Sequence, residues 1–285
     1  MIWLLFALLA AFFESLKDVF SKKRVTHVDE YLIAWSWRVF ALPFLLPVLF
    51  FVDVPAFTYE FWKALIISGS INLVVTIIYV KALKYSELSN TVPLLTFTPL
   101  FILLTAPIVV GEFPSTTGLF GIMLIVSGAY VLKLKERHHG HFEPFKALLK
   151  DKGARYMLVV AFLWSITSVY DKVGVQQSAP LLWPLALNLF IAFAMIPVLL
   201  VTSRKNILQL PVRQLFPIGL ASALMLLAQM TAISMTLVAY VISIKRTSTV
   251  ISVLFGHYLF KEQGLRERLL GTAIMVLGVV VIALS

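Results

Sequence analysis

Lys133-Leu134-Lys135-Glu136-Arg137-His138-His139-Gly140-His141-Phe142-Glu143-Pro144-Phe145-Lys146-Ala147-Leu148-Leu149-Lys150-Asp151-Lys152-Gly153-Ala154-Arg155 is the one long polar stretch in this chain. On either side the sequence runs in apolar blocks of about 20 residues, the length a helix needs to cross a bilayer. Five blocks precede it, at roughly 2–21, 31–52, 61–81, 89–110 and 115–133. Five follow, at roughly 155–174, 182–202, 214–234, 239–260 and 267–285. The expected fold is all-α and integral to a membrane. Ten transmembrane helices form two halves, 1–133 and 155–285, joined by a basic connecting loop at 134–154.

Composition agrees. The chain is 60% hydrophobic and only 13% charged, where a soluble domain carries about 25% charged residues. With no Cys there is no disulfide framework and no thiolate metal site. The net charge of +10 reads as basic cytoplasmic loops rather than as a nucleic-acid surface. The N-terminus is apolar from Ile2 and lacks a basic leader, so it reads as the first span.

Lysine and arginine fall unevenly. The odd-numbered loops hold Lys22, Lys23 and Arg24, then Lys81 and Lys84, the basic connecting loop, Arg204, Lys205 and Arg213, and finally Lys261, Arg266 and Arg268. The other face has only Lys63 and Lys172. The positive-inside rule places the odd loops in the cytoplasm and both termini outside, in the inner membrane of a prokaryotic cell.

The two halves also match each other. At a fixed offset of 150 residues, Ser15 meets Ser165, Lys22 meets Lys172, Phe40 meets Phe190 and Pro47 meets Pro197. Gly69 meets Gly219, Glu112 meets Glu262, Gly121 meets Gly271 and Gly128 meets Gly278. Five spans is an odd number, so the second copy enters the bilayer from the opposite face. Inverted-topology repeats around a midplane site are a common plan of secondary transporters, in which one half rocks against the other.

At this point the chain resembles the EamA-type members of the drug/metabolite transporter superfamily. The resemblance rests on Tyr79-Val-Lys-Ala82-Leu83, Val92-Pro93-Leu94, Pro99, Gly111-Glu112 and Gly121…Gly128 in the first half. The second half supplies Ala232-Ile-Ser-Met, Lys261-Glu262 and Gly271…Gly278. It implies helices around a central cavity and facilitative, proton-coupled or exchange transport of a metabolite. It names no cofactor. In the ninth span, Lys245-Arg246 is similar to the phosphate-binding pair of plastid triose-phosphate translocators, a similarity confined to those two residues.

Charges at bilayer depth are costly and usually functional. Lys245 and Arg246 either bind an anionic substrate or pair with buried carboxylates. Being adjacent, they point about 100° apart on a helix. Thr247, Ser248 and Thr249 offer hydroxyl donors, or bond back to their own helix. Arg38 in span two is matched by Asn188, two polar groups suited to a cavity wall. Glu14, Lys17 and Asp18 share one face of span one. They form an internal ion cluster, or Glu14 serves as a protonatable coupling group or as counter-ion to Arg38. Tyr79, with Trp35, Trp37, Trp164, Tyr170 and Tyr240, is available as an aromatic wall. Asp171-Lys172, Glu112 and Glu262 read as structural. His138, His139 and His141 read as solvated loop residues. Deep cations outnumber deep carboxylates, which favours an anion.

The site expected from sequence is Lys245, Arg246, Arg38, Glu14, Tyr79, Ser248 and Asn188, with no metal. Its expected partners are a small anionic solute or a lipid phosphate, surrounding lipids, and a proton or counter-substrate. The leading expectation is a secondary transporter of a small anionic metabolite, phosphorylated ones included. A flippase for a phosphate-bearing lipid and an amino-acid exporter are the alternatives. Membrane enzymes lack support, since the spans contain no metal-ligand cluster and no G-x-S-x-G element, and the lack of a nucleotide-binding loop argues against primary ATP-driven transport by this chain alone.

Overall fold

The computed structural model describes residues 2–86, 92–134, 151–203, 211–260 and 269–285. Among these there is no strand. Helical residues lie in each of the ten apolar blocks expected. Lys261, Glu262 and the three loop histidines lie outside the described residues.

The first half runs α1 (Ile2–Arg24), α2 (Glu30–Val39), α3 (Leu42–Leu45) with a 3-10 turn at Leu46–Phe50, and α4 (Tyr59–Tyr85). A second 3-10 segment (Val92–Phe97) leads into α5 (Thr98–Val109), and α6 (Thr116–Leu134) ends the half. The second half runs α7 (Lys152–Gln176), α8 (Leu182–Ala194), α9 (Ile196–Thr202), α10 (Val212–Met235), α11 (Val238–Lys245), α12 (Ser248–Phe260) and α13 (Leu269–Ala283). Five stretches are long and apolar enough to cross a membrane: Glu30–Phe50, Tyr59–Tyr85, Lys152–Gln176, Leu182–Thr202 and Val212–Met235. Large apolar side chains such as Phe50, Ile108 and Val201 stand exposed on the outer surface, where lipid would cover them.

Local chemistry sets the helix ends. Thr58 accepts the Phe61 N–H at 3.2 Å and Asp151 accepts the Ala154 N–H at 2.7 Å, so each caps the helix that follows it. Proline breaks spans two and seven at matched places, Pro47 in the 3-10 turn and Pro197 at the start of α9. Spans four and nine are also discontinuous. α5 begins at Thr98 and α12 at Ser248, 150 residues apart, each just after a tightened or broken turn. In span four the break comes with Pro93 and Pro99. In span nine it comes without proline: the Thr247 hydroxyl bonds back to the Ile244 carbonyl at 2.8 Å, and the Thr247 N–H takes the same carbonyl at 2.9 Å.

The halves pack with the symmetry that the register implies. α4 lies along α7 as α1 lies along α10, and α6 lies along α13. A Cβ on Gly69 would strike the Phe190 ring, and one on Gly219 would strike Phe40, the mate of Phe190. Gly121 and Gly278 approach each other so closely that a Cβ on either would press on the other's carbonyl oxygen. The matched lysines cap matched helix ends. Lys22 Nζ donates to the Leu83 and Ser86 carbonyls, both at 2.6 Å. Lys172 Nζ donates to those of Ile233 at 2.7 Å and Thr236 at 2.8 Å. Each of these acceptors lies 150 residues from its mate. In each half a lysine thus answers the last carbonyls of a span, at the negative end of its dipole.

Candidate substrate cavity

Between the halves lies a narrow polar cavity. Glu14 and Trp164, Lys17 and Thr167, Trp37 and Leu187, and Asn72 and Ser222 all line it. Each couple is separated by 150 residues, so the cavity straddles the pseudo-twofold relation between the repeats. The charges do not follow that symmetry. Glu14, Lys17 and Arg38 come from the first half, and Asp171, Lys245 and Arg246 from the second.

Span nine delivers its pair at the break. Lys245 is the last residue of α11 and Arg246 its cap. Although adjacent side chains diverge, both close on one carboxylate, because α1 packs against α11 and α12 on either side of the break. Lys245 Nζ lies 3.0 Å from Glu14 Oε2 and donates to Gln229 Oε1 at 2.5 Å. Arg246 Nη1 stands farther off, 3.9 Å from Glu14 Oε1. Its Nη1 and Nε are buried with no hydrogen-bond partner. Lys17 Nζ is also 3.9 Å from Glu14 Oε1, and 4.0 Å from Asp18 Oδ1. Glu14 is therefore less the partner of its own helix than the shared counter-ion of three cations. Trp164 faces all three: its ring centre is 5.8 Å from Lys17 Nζ, 5.7 Å from Lys245 Nζ and 5.5 Å from the Arg246 guanidinium carbon. Trp37 lies closer still to Lys17, at 4.0 Å.

A second polar group covers the wall formed by α2, α4 and α7. Arg38 Nη2 donates to Thr76 Oγ1 at 2.8 Å. Thr76 donates onward to the Asn72 carbonyl at 2.6 Å, and Asn72 Nδ2 donates to Ser68 Oγ at 3.1 Å. Ser68 donates to Asp171 Oδ1 at 2.7 Å, which also receives the Trp183 indole N–H at 3.1 Å.

Of the residues expected from sequence, the structure brings Lys245, Arg246, Arg38 and Glu14 to this cavity. It places three others outside its lining. Tyr79 stands behind it, tilted against Trp164 and edge-on to Trp37, with ring centres 5.1 Å and 5.2 Å away. Ser248 is buried in a helix contact where its carbonyl accepts the Ser15 hydroxyl at 2.9 Å. Asn188 donates to the Pro184 carbonyl at 2.6 Å within its own helix. Asp171, read from sequence as a structural residue near a span end, is instead buried on the cavity wall. The α7 helix continues to Gln176, which places Asp171 deeper than its span end implied. Gln229 and Asn72 had been passed over. Their signal was a buried amide in an otherwise apolar helix, and for Asn72 the polar mate Ser222.

Glu112 binds outside the cavity, at a helix N-terminus that is not its own. Oε2 accepts the Val238 N–H at 2.9 Å, at the start of α11, and Oε1 meets Lys172 Nζ at 3.1 Å. The carboxylate thus ties spans five, six and nine at one corner. Among the described residues, no group of three or more metal-ligating side chains converges.

No curated protein matches this sequence. A solved crystal structure overlays the fold with a TM-score of 0.69, over 98% of this chain and 96% of that chain, at 14% identity. At that identity the likeness is one of fold. A family model matches twice, over residues 1–134 and again over 151–284, leaving out only the basic connector and the last residue. Two helical repeats with a polar cavity between them and a family match to each half lead to one conclusion: the chain belongs to the EamA-like transporter family, and is a membrane transporter of the drug/metabolite type.

Proposed function

We propose that this protein is a secondary carrier of a small anionic metabolite, phosphorylated or carboxylated, that works by alternating access across the cytoplasmic membrane. One observation carries the reading: four cations, Lys17, Arg38, Lys245 and Arg246, line the cavity against two carboxylates, Glu14 and Asp171. Burying a charge is expensive unless it is paired, and a cavity with surplus positive charge concentrates anions. The donor atoms are of the right kind. A guanidinium presents a planar fork to phosphate or carboxylate, and an ammonium supplies a movable point charge. Glu14 holds the cations in place of substrate, and an incoming anion takes over that pairing. The matched breaks in spans four and nine, with the inverted repeats, provide the discontinuous elements around which two halves can rock.

The test is counterflow in proteoliposomes, with thermal-shift titration of the same ligands on detergent-solubilised protein. Phosphorylated and carboxylated solutes should stabilise the wild type and be exchanged. Lys245→Ala and Arg246→Ala should each lower exchange at least tenfold while the protein still purifies as a monodisperse species. Full exchange by both variants sinks the proposal. So does stabilisation by zwitterionic amino acids alone, or by phosphate-bearing lipids alone.

A further inference from the structure

The donors in the cavity are not all spent in one place. Lys245 is occupied by Glu14 and Gln229. Arg246, with free Nε and Nη1, has donors left on the same side of the cavity. Arg38 is different. It enters from α2, is 6% exposed, and uses Nη2 on the neutral Thr76 hydroxyl. Its Nε is buried without a partner. Among the described residues, no carboxylate comes within the 4.0 Å ion-pair distance of its guanidinium. Asp171, on the same wall, commits Oδ1 to Ser68 and Trp183 and faces Arg38 only beyond contact distance. Arg38 is therefore a buried permanent cation lacking a contact counter-ion, with an unanswered donor on the cavity wall. Packing alone would favour an apolar residue in such a place, since an unpaired buried charge costs several kcal/mol.

Glu14, which balances the other three cations, makes no ion pair with Arg38. An anion that displaces Glu14 from Lys245 and Arg246 would satisfy that pole and leave Arg38 as it was. We propose that Arg38 is a second anion-binding pole, and that the preferred substrate carries two acidic groups, one for each pole. Dicarboxylates and phosphorylated carboxylic acids are the chemical classes that meet this description. The inference rests on the anion reading above and narrows it. The Thr76-Asn72-Ser68 chain fixes the guanidinium, so it stands ready for a carboxylate fork rather than searching for one.

The experiment compares probes that differ by one acidic group: butyrate with succinate, and ethyl phosphate with phosphoglycolate. Affinities come from thermal-shift titration of the full-length protein, and from inhibition of counterflow in proteoliposomes. The wild type should bind the two-acid member of each couple at least tenfold tighter. In Arg38→Gln that preference should fall below about threefold. Arg38→Lys should keep part of the preference, which a merely structural arginine would not require. Equal binding of both members by the wild type overturns the proposal. So does an Arg38→Gln protein that loses affinity for both members alike. If Arg38→Gln does not fold, the wild-type ratio and Arg38→Lys decide alone. Failure of all four probes to bind overturns the anion reading itself, whereas binding without preference overturns only the second pole.

Discussion

Glu14 is the residue on which the charged cavity turns. It is 1% exposed and stands within 4 Å of Lys17, Lys245 and Arg246. Removing one member of a buried ion cluster leaves the others uncompensated, at a cost of about 3–5 kcal/mol. Glu14→Gln should therefore lower the unfolding midpoint of the solubilised protein clearly, although the two side chains are nearly isosteric. Anions should repair the loss. If phosphate occupies the position that the carboxylate vacates, adding it should raise the melting temperature of Glu14→Gln more than that of the wild type, as ligand linkage requires. A variant as stable as the wild type, or one indifferent to phosphate, would show that Glu14 is not the counter-ion. The sequence made Glu14, Arg38, Lys245 and Arg246 legible because each interrupts an apolar run, and cost marks them. It misplaced Ser248 and Asn188 because a small polar group can turn to its own helix or to a helix contact, as the Asn188 amide N–H does toward Pro184. Composition carries no trace of which way such a group turns.

Among the elements, span positions were the easiest to read. α8 and α9 together cover Leu182–Thr202, the same limits as the seventh apolar block. The break in span nine was not legible. Its causes are back-bonded hydroxyls, which also occur in unbroken helices, whereas Pro93 and Pro99 announced the break in span four. The α6–α13 contact rests on small residues. A Cβ on Gly128 would lie 2.6 Å from the Gly271 carbonyl oxygen, and one on Gly121 would lie 3.0 Å from that of Gly278. Backbone cannot yield as a flexible side chain does. Gly128→Val should therefore push the two helices apart and cost about 1–3 kcal/mol or more, by the usual penalty of overpacking. The drop would be read as a lower thermal midpoint in detergent. A fully stable Gly128→Val protein would mean that the helices can separate freely at this crossing.

For the whole molecule, charge bias sets the orientation to be tested. The chain contains no cysteine, so single cysteines can be introduced without background. Lys23→Cys should react with a membrane-impermeant maleimide only after the cytoplasmic face is opened, and Lys63→Cys in intact cells or right-side-out vesicles. The reverse pattern would invert the orientation. The contact between the halves carries a further consequence. Gly69 receives Phe190, and Gly219 receives Phe40, so each surface offers both the knob and the hole. Such reciprocity is the mark of an isologous interface, in which residue i meets j and j meets i. Two separate five-helix chains inserted in opposite directions would meet through the same contacts. In that homodimer any cation added to one subunit would appear twice, facing its own copy across the axis. A single chain carries no such constraint: a lone Lys-Arg pair opposite a lone glutamate is an arrangement open only to a protein whose two halves are free to differ.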